Sequence, residues 1–296
     1  MIVRNQPYGN AIGKALFAWL VAAAIAFDAT VSRAQTPVRF SAHYVISMTR
    51  VSVGEITWST NFSETSYLAS ATGKASGVLS VLVKGEGSLS TRGTPADGKL
   101  IPATARFDVS DDDGVYETEI TFEDGVYKRT VDRGAAPPAD RIPVSAKLLH
   151  DVIDPLTAFI IPFEGKALAP DNCGKTLKIF DGRRRYDLTL TFKRADRVAL
   201  ARGYSGPVLV CGVVLHPLGG YRPDSLLVRY LAGKDDLELW LAPIAGMSLL
   251  APVRALMPTL VGTMDISADE FVERKLPAVA PAVKPVETAP LAPTKP

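Results

Sequence analysis

The chain has 296 residues, of which 33 are basic and 31 acidic, and its formal net charge is +2. This near balance does not provide the clustered basic surface that nucleic-acid binding requires, so a nucleic-acid partner is excluded. Beyond the N-terminal segment, no apolar run reaches the roughly 20 residues of a membrane-spanning helix, which excludes a stable membrane span in the remaining chain.

The first 34 residues have the three parts of a secretory signal peptide. Arg4 and Lys14 precede an apolar run at 15–27, and a small-x-small sequence ends at Ala34, before Gln35. The apolar run is shorter than a membrane-spanning helix, which favours cleavage, and an uncleaved N-terminal anchor is the alternative. We therefore predict a signal peptide at 1–34 and a working domain outside the cytoplasm.

Export has two consequences for the rest of the chain. Removing 1–34 takes away three basic residues and one acidic residue, so the remaining residues are formally neutral. Outside the cytoplasm neither nucleotides nor reducing power is available, and we predict that the protein uses no cofactor.

Period-two alternation of apolar and polar residues predicts β-strands along most of the remaining chain. Clear examples are 42–48, 116–122, 186–192 and 237–241. One apolar and one polar face is typical of antiparallel strands that water reaches on one side. We predict a single mainly β domain at 35–275, built as a strongly curved antiparallel sheet or an incomplete β-barrel.

Glycines separate and interrupt these runs. Asp181-Gly182 lies between two strand-like runs, a strong signal for a hairpin, and the same dipeptide recurs at 97–98, 113–114 and 124–125. Gly85-Glu-Gly87 falls inside a predicted strand, where glycine indicates a bulge or a bend.

One region, 145–161, has helical spacing. Asp154 followed by Pro155 is typical of an N-cap and a first-turn proline. We predict one or two short helices here, against the concave face of the sheet. A membrane-surface helix is the alternative, which the few basic residues disfavour.

The two cysteines, Cys173 and Cys211, both lie in the exported part. An even number in an oxidising compartment predicts a disulfide. The bridge would close a loop of about 39 residues and stabilise the fold by roughly 4 kcal/mol. A catalytic thiol or a metal site is disfavoured, because neither cysteine lies in a Cys-x-x-Cys motif or a His-Cys cluster.

Arg183, Arg184 and Arg185 form the sharpest run of charge. Since side chains alternate along a strand, Arg183 and Arg185 point to one face and Arg184 to the other. They could contact an anionic headgroup, sugar or phosphate. Edge protection and ion pairs with Asp181 and Asp187 are the simpler interpretation.

The sequence contains none of the familiar catalytic or phosphate-binding motifs. His43, His150 and His216 have no partner at metal-ligand spacing, and the acidic stretch 111–114 lacks the distal glutamate of a calcium loop. We predict no catalytic residue, no bound metal and no enzymatic activity. An envelope hydrolase with an unrecognised site is the least favoured alternative.

The last residues, 276–296, are mostly Pro, Ala and Val. This composition is typical of a disordered or semi-extended tail. An envelope protein could bind the tail, and an idle tail is the simpler interpretation.

Short segments in a fixed order resemble the bacterial family called domain of unknown function 3108, over about 38–272. They include Val53-Gly54-Glu55, Asp154-Pro155-Leu156, Phe180-Asp181-Gly182-Arg183-Arg184 and Leu239-Trp240-Leu241. Members of this family are exported proteins of Gram-negative bacteria without an established activity, so the resemblance implies the periplasm. It also implies a fold similar to that of periplasmic lipoprotein carriers, an incomplete barrel with a helix against its concave face.

These observations favour a non-catalytic binding or carrier module that holds a lipid or another apolar envelope molecule in the concavity. The alternative is a structural or interaction protein whose barrel is filled by its own side chains. Its surface or its tail would then bind an envelope partner. The size and lining of the concave face distinguish the two hypotheses.

Overall fold

The computed structural model describes residues 36–76, 85–96, 98–111, 114–123, 126–134, 139–260 and 262–277. The predicted signal peptide at 1–34 lies outside the described residues, and so does the predicted tail from residue 278 onward.

Fifteen strands in the described residues form one sheet, which confirms the predicted mainly β fold. They are β1 (Val38–Met48), β2 (Val51–Phe62), β3 (Tyr67–Ala75), β4 (Glu86–Ala96), β5 (Lys99–Asp111), β6 (Gly114–Glu123), β7 (Val126–Gly134), β8 (Ile161–Pro162), β9 (Thr176–Phe180), β10 (Arg185–Ala199), β11 (Arg202–Gly203), β12 (Ser205–Gly219), β13 (Leu237–Pro243), β14 (Leu249–Thr259) and β15 (Gly262–Lys275). Their order in the sheet is β7-β6-β5-β4-β3-β2-β1-β15-β14-β13-β12-β10-β9, with β8 beside β14 and β11 beside β15. Neighbours along this order are antiparallel, whereas β11 runs parallel to β15.

The two ends of the sheet, β7 and β9, meet through side chains. Phe180 of β9 packs with Phe107 of β5 and Ile120 of β6, and its ring centroid lies 5.4 Å from that of Tyr127 on β7. Among the described strands no hydrogen-bonded ladder joins these ends. Since opposite ends of one sheet are in contact, the sheet must curl into the predicted incomplete barrel.

The predicted hairpin at Asp181-Gly182 joins β9 to β10. The Asp181 carboxylate accepts hydrogen bonds from the backbone N–H groups of Arg183, at 2.9 Å, and Arg184, at 2.5 Å. Gly182 has a φ of +91°, and a Cβ at this position would collide with Thr118 of β6. The turn therefore needs glycine both for its conformation and for its packing against the other end of the sheet.

The glycines at 85–87 do not form the predicted bulge. The β3–β4 register is unbroken from the Lys74–Glu86 pair onward. The irregularity in β4 lies opposite β5, between Arg92 and Gly93. The prediction was wrong because glycine inside a strand leaves either a distorted backbone or simply a missing side chain, and Gly87 is the second case.

The helical region is shorter than predicted. A single 3₁₀ turn, Ala146–Leu148, precedes α1 (Pro155–Ala158), which begins at the predicted cap Asp154. Ile161 already belongs to β8. A further helix, α2 (Leu226–Leu231), was not predicted. No helix among the described residues has the length and apolarity needed to cross a membrane.

Strands β12 to β14 are buried on both faces. On β12, Val208 and Val210 pack into a cluster with Phe271 of β15, whereas Leu209 and Cys211 pack into a second cluster on the opposite face. A strand that is covered on both sides has a continuous apolar run instead of alternation. The residues at 207–215 form such a continuous apolar run.

Candidate ligand cavity

An apolar cavity of about 340 Å³ lies between the inner face of the sheet and α1. Its walls come from β1 to β4 on one side, from β13 to β15 on the other, and from α1. The lining residues are Tyr44, Ile56, Trp58, Ala71, Thr72, Gly73, Gly87, Leu89, Pro155, Leu156, Phe159, Leu239, Pro252, Ala255 and Ile266. Because strands from both halves of the sheet contribute, the cavity belongs to the concave side of the curl.

Two polar groups in the cavity wall, on Tyr44 and Trp58, already have partners. The Tyr44 hydroxyl donates to the Pro252 carbonyl oxygen at 2.7 Å, and Trp58 Nε1 donates to Thr60 Oγ1 at 3.0 Å. Burial raises the pKa of Tyr44, so its hydroxyl stays neutral. The described lining contains no Asp, Glu, His, Lys or Arg side chain. The wall thus offers contact with hydrocarbon and no group suited to acid–base chemistry.

A buried carboxyl group holds α1 against the sheet. Asp154 Oδ1 accepts hydrogen bonds from Thr91 Oγ1 at 2.7 Å and from the backbone N–H groups of Leu156 and Thr157 at 3.0 Å. A four-residue helix is not stable on its own, so this cap and the packing of Leu156 maintain it. Through them, Leu156 and Phe159 are presented to the cavity.

The second oxygen of this carboxyl group has no hydrogen-bond partner in the described part of the chain. Asp154 is completely buried, and no described group hydrogen-bonds to its Oδ2. Burial raises the pKa of Asp154, even though its hydrogen bonds act in the opposite direction.

A second buried hydrogen bond connects α1 to β3. The hydroxyl groups of Tyr67 and Thr157 lie 2.8 Å apart, and both residues are buried. Burial also raises the pKa of Tyr67. The helix is therefore fixed to β3 and β4, two of the four strands that form one side of the cavity.

Larger cavities on the described surface have polar and charged groups in their lining. One of about 780 Å³ is lined by charged groups of both signs, among them Asp151, Lys175 and Lys178. Lys175 Nζ donates to the Pro162 carbonyl oxygen, and partial burial lowers the pKa of Lys175. Such mixed polar surfaces do not select one ligand class, whereas an apolar wall does.

The predicted cysteine pair lies within disulfide distance. The Sγ atoms of Cys173 and Cys211 are 2.01 Å apart and the Cα atoms 5.5 Å apart. Both residues are buried in the apolar cluster that also contains Leu239, a lining residue of the cavity. The pair connects the segment after α1 to β12, beside the candidate site.

The predicted arginine run is engaged within the protein at all three positions, and the Arg183 and Arg185 side chains are largely buried. Arg183 has a guanidinium carbon 3.9 Å from the centroid of the Tyr116 ring and an Nε 3.4 Å from Asp132 Oδ1. Arg185 donates to the Leu148 carbonyl oxygen at 2.7 Å. These contacts join the β9–β10 hairpin to its surroundings and give both side chains a structural role.

Arg184 is the most exposed of the three, with 42% of its side chain accessible and Nη1 3.6 Å from Asp181 Oδ2. Arg185 also pairs with Asp187, at 2.5 Å. The anion contact stays a prediction, and Arg184 is the residue best placed to make it.

The histidines do not form a site. His43 lies outside the cavity, with Nδ1 2.6 Å from Asp269 Oδ1, while His150 and His216 are exposed. In the described part of the chain, no group of three or more His, Cys, Asp and Glu side chains is placed to hold a metal ion. Residues 112–113 of the acidic stretch lie outside the described residues.

Sequence reasoning did not identify the lining residues as a site. The available signal was a set of small residues at inward-facing positions of β3 and β4, namely Ala71, Gly73 and Gly87. Small side chains at neighbouring inward positions leave unfilled volume, but this pattern becomes visible only once the register of the strands is known.

The open, curled antiparallel sheet and its apolar cavity define a β-barrel-like protein. The chain belongs to the family described as "Protein of unknown function (DUF3108)", whose model matches residues 39–269. This match confirms the resemblance found in the sequence.

A solved structure matches part of the chain. It is the crystal structure of a β-barrel-like protein of domain of unknown function DUF1849 from Brucella abortus, with a TM-score of 0.44 and 13% identity. The similarity covers 80% of this chain and 97% of that chain. No curated protein matches the chain.

Proposed function

We propose that this protein is an exported, non-catalytic binding or carrier module that holds a lipid or another apolar envelope molecule in the cavity beside α1. The observation that carries the proposal is the apolar wall of the cavity, in which the Tyr44 hydroxyl and the Trp58 N–H are already hydrogen-bonded. A ligand gains nothing there from polar groups of its own, so the part that enters is hydrocarbon.

The volume of the cavity limits the size of the ligand. An engineered cavity of roughly 150 Å³ accommodates benzene, so a volume of about 340 Å³ suits one hydrocarbon chain or a small ring system. At about 0.8 kcal/mol per buried methylene, a chain with roughly eight methylenes inside gains about 6 kcal/mol. This corresponds to a Kd of about 40 µM before the cost of ordering the chain.

Three features support a periplasmic location. The N-terminal 34 residues have the composition of a secretory signal peptide, the two cysteines lie within disulfide distance, and the family resemblance implies export. A disulfide persists in an oxidising compartment such as the periplasm. Detection of the mature N-terminus at Gln35 in a periplasmic fraction would test the proposed location.

Filling the cavity tests the proposed ligand site. In Ala71→Trp, an indole replaces a methyl group in the cavity wall, and we expect fatty-acid binding to be lost. Ser70→Trp is the matched control, because Ser70 is the next residue on β3 and its side chain lies on the exposed face. Binding is measured by calorimetry with dodecanoate, and native mass spectrometry of protein purified from its own periplasm identifies the natural ligand.

Two outcomes would count against the proposal. The first is that the wild-type protein binds no dodecanoate and carries no co-purifying lipid. The second is that Ala71→Trp and Ser70→Trp bind equally well while circular dichroism shows both to be folded. Either result would favour the alternative, a structural or interaction protein with a self-filled barrel.

The alternative has one specific observation in its favour. Three clusters of buried apolar residues lie in the described part of the interior, and the largest contains Phe40, Trp58 and Phe271. If the protein acts through an envelope partner, deleting 277–296 should abolish a pull-down of that partner. An unchanged pull-down would remove the tail from this alternative.

A further inference from the structure

Two glycines face each other in the cavity wall. Gly73 of β3 and Gly87 of β4 are direct partners in the antiparallel register, and both line the cavity. The neighbours across the adjacent strands are Ile56 on β2 and Val109 on β5. Two positions without side chains therefore lie side by side between two apolar side chains.

Glycine inside a strand lowers stability relative to alanine, so its presence needs a reason. At two other glycines of this fold the reason is steric or conformational. A Cβ at Gly93 would collide with the carbonyl oxygen of Ile101, and Gly220 has a φ of +80°. In both cases the protein itself requires glycine.

Neither reason applies to the glycine pair. Gly73 and Gly87 are not among the residues with positive φ. A Cβ at Gly73 would lie 3.5 Å from Ile56 Cγ1, and a Cβ at Gly87 would lie 3.4 Å from the carbonyl oxygen of Asp108, which are ordinary contacts. The protein has room for alanine at both positions, so the missing methyl groups enlarge the cavity without relieving any contact.

The open space continues along β3. The inward-facing residues of this strand include Ala69, Ala71 and Gly73, and the last two line the cavity. Successive small residues on one face of a strand form a narrow, straight surface, because alternate residues of a strand share a face. An unbranched chain fits such a surface better than a bulky ring system.

We propose that the cavity takes an unbranched hydrocarbon chain that lies along β3 and crosses the Gly73–Gly87 pair, and that this pair determines how long a chain is accepted. The inference rests on the proposed function and adds the ligand class and the residues that select it. A short chain occupies the part of the cavity beside Trp58 and Leu156 alone. A longer chain also lies over the two glycines.

The double variant Gly73→Ala/Gly87→Ala tests this inference with saturated fatty acids from octanoate to hexadecanoate, each below its critical micelle concentration. Gly85→Ala is the matched control, because a Cβ at Gly85 meets no atom within 4 Å and this residue does not line the cavity. Each single variant is measured as well, so that the test does not depend on one protein.

We expect the double variant to melt at the wild-type temperature or above it, since alanine reduces the freedom of the unfolded chain. Each added methyl group displaces about one methylene of a long chain, which is worth about fourfold in affinity. The longest chains should therefore bind about fifteenfold more weakly to the double variant, while octanoate binds as it does to wild type.

The contrary outcomes distinguish failure of the glycine-pair inference from failure of the proposed function. If wild type binds fatty acids and the double variant shows the same dependence on chain length, the role of the glycine pair is wrong and the proposed function stands. An equal loss at every chain length also contradicts selection by length. If wild type binds no chain of any length, the proposed function and this inference both fail.

Discussion

Asp154 provides the sharpest test of how α1 is held against the sheet. Its Oδ1 accepts three hydrogen bonds, from Thr91 Oγ1 and from two backbone N–H groups, while its Oδ2 has no hydrogen-bond partner among the described residues. Asp154→Ala removes the whole group. Asp154→Asn keeps an oxygen at the position of Oδ1. It places an amide nitrogen at the position of Oδ2, the oxygen without a hydrogen-bond partner among the described residues. Both variants remove the charge, so their difference reports the hydrogen bonds to Oδ1 together with the loss of side-chain volume in Asp154→Ala.

The expected difference in the free energy of unfolding between the two variants has two contributions from hydrogen bonding. Loss of an N-cap costs about 1 kcal/mol, and a buried hydroxyl left without a partner costs about 1–3 kcal/mol. Thr91 is buried, so its hydroxyl falls in the second class. We expect Asp154→Ala to be less stable than Asp154→Asn by about 2–4 kcal/mol. For a domain of this size, 3 kcal/mol corresponds to a fall in Tm of roughly 6–12 °C.

Comparing the stability of wild type with that of Asp154→Asn isolates the effect of the Asp154 charge. Because burial raises the folded-state pKa of Asp154, the folded protein retains this proton to a higher pH than the unfolded chain does. The stability contributed by the protonated group is fully present below the unfolded pKa, about 3.9, and is lost as the pH rises through the folded pKa. The advantage of Asp154→Asn over wild type should therefore grow as the pH rises from about 4. Burial also raises the pKa of Asp181, but this residue is present in both proteins and its effect cancels.

Urea unfolding of the three proteins between pH 4 and pH 8, followed by circular dichroism, provides the measurement. The reasoning would be refuted if Asp154→Ala and Asp154→Asn unfolded at the same urea concentration. It would also be refuted if the difference between Asp154→Asn and wild type did not change with pH.

Two further predictions concern the contacts around the cavity. Replacing both Cys173 and Cys211, which are 38 residues apart, by serine should lower the free energy of unfolding by about 4 kcal/mol, and an identical urea midpoint with and without a reductant would contradict the bridge. Arg183→Gln should cost about 1–2 kcal/mol, because it removes a largely buried guanidinium group stacked on Tyr116. The more exposed Arg184→Gln should stay within about 0.5 kcal/mol of wild type, and an equal loss in both variants would show that the stacking contributes nothing.

The part of the fold that could be predicted from sequence is the part that water reaches on one side. In 116–122, Ile120 and Phe122 are buried, whereas Glu117 and Glu119 lie on the other face, so alternation identified strand β6. Local chemistry was equally informative at the Asp154 cap, because a capping carboxylate acts on the two or three residues that follow it.

Prediction failed where tertiary contacts override local pattern. The helical spacing of 145–161 gives only four α-helical residues, because Ile161 pairs with Leu250 of β14 instead of continuing a helix. The other helix, Leu226–Leu231, is too short to have a periodic signal. On β12, Leu209 and Val210 are both buried although they point to opposite faces, so the run predicts a strand but not which side faces the cavity.

The cavity could not be predicted because its signal is missing side-chain volume. Phe40 and Trp58 pack edge to face, with ring centroids 5.3 Å apart, in a buried apolar cluster. Beside them, the inward positions of β3 and β4 carry Ala71, Gly73 and Gly87. A barrel filled by its own side chains would have large apolar residues at these positions, because protein interiors are packed with few voids larger than a water molecule. An unfilled apolar volume beside a well-packed core is therefore expected of a protein that receives a ligand, which is why binding is preferred here to a purely structural role.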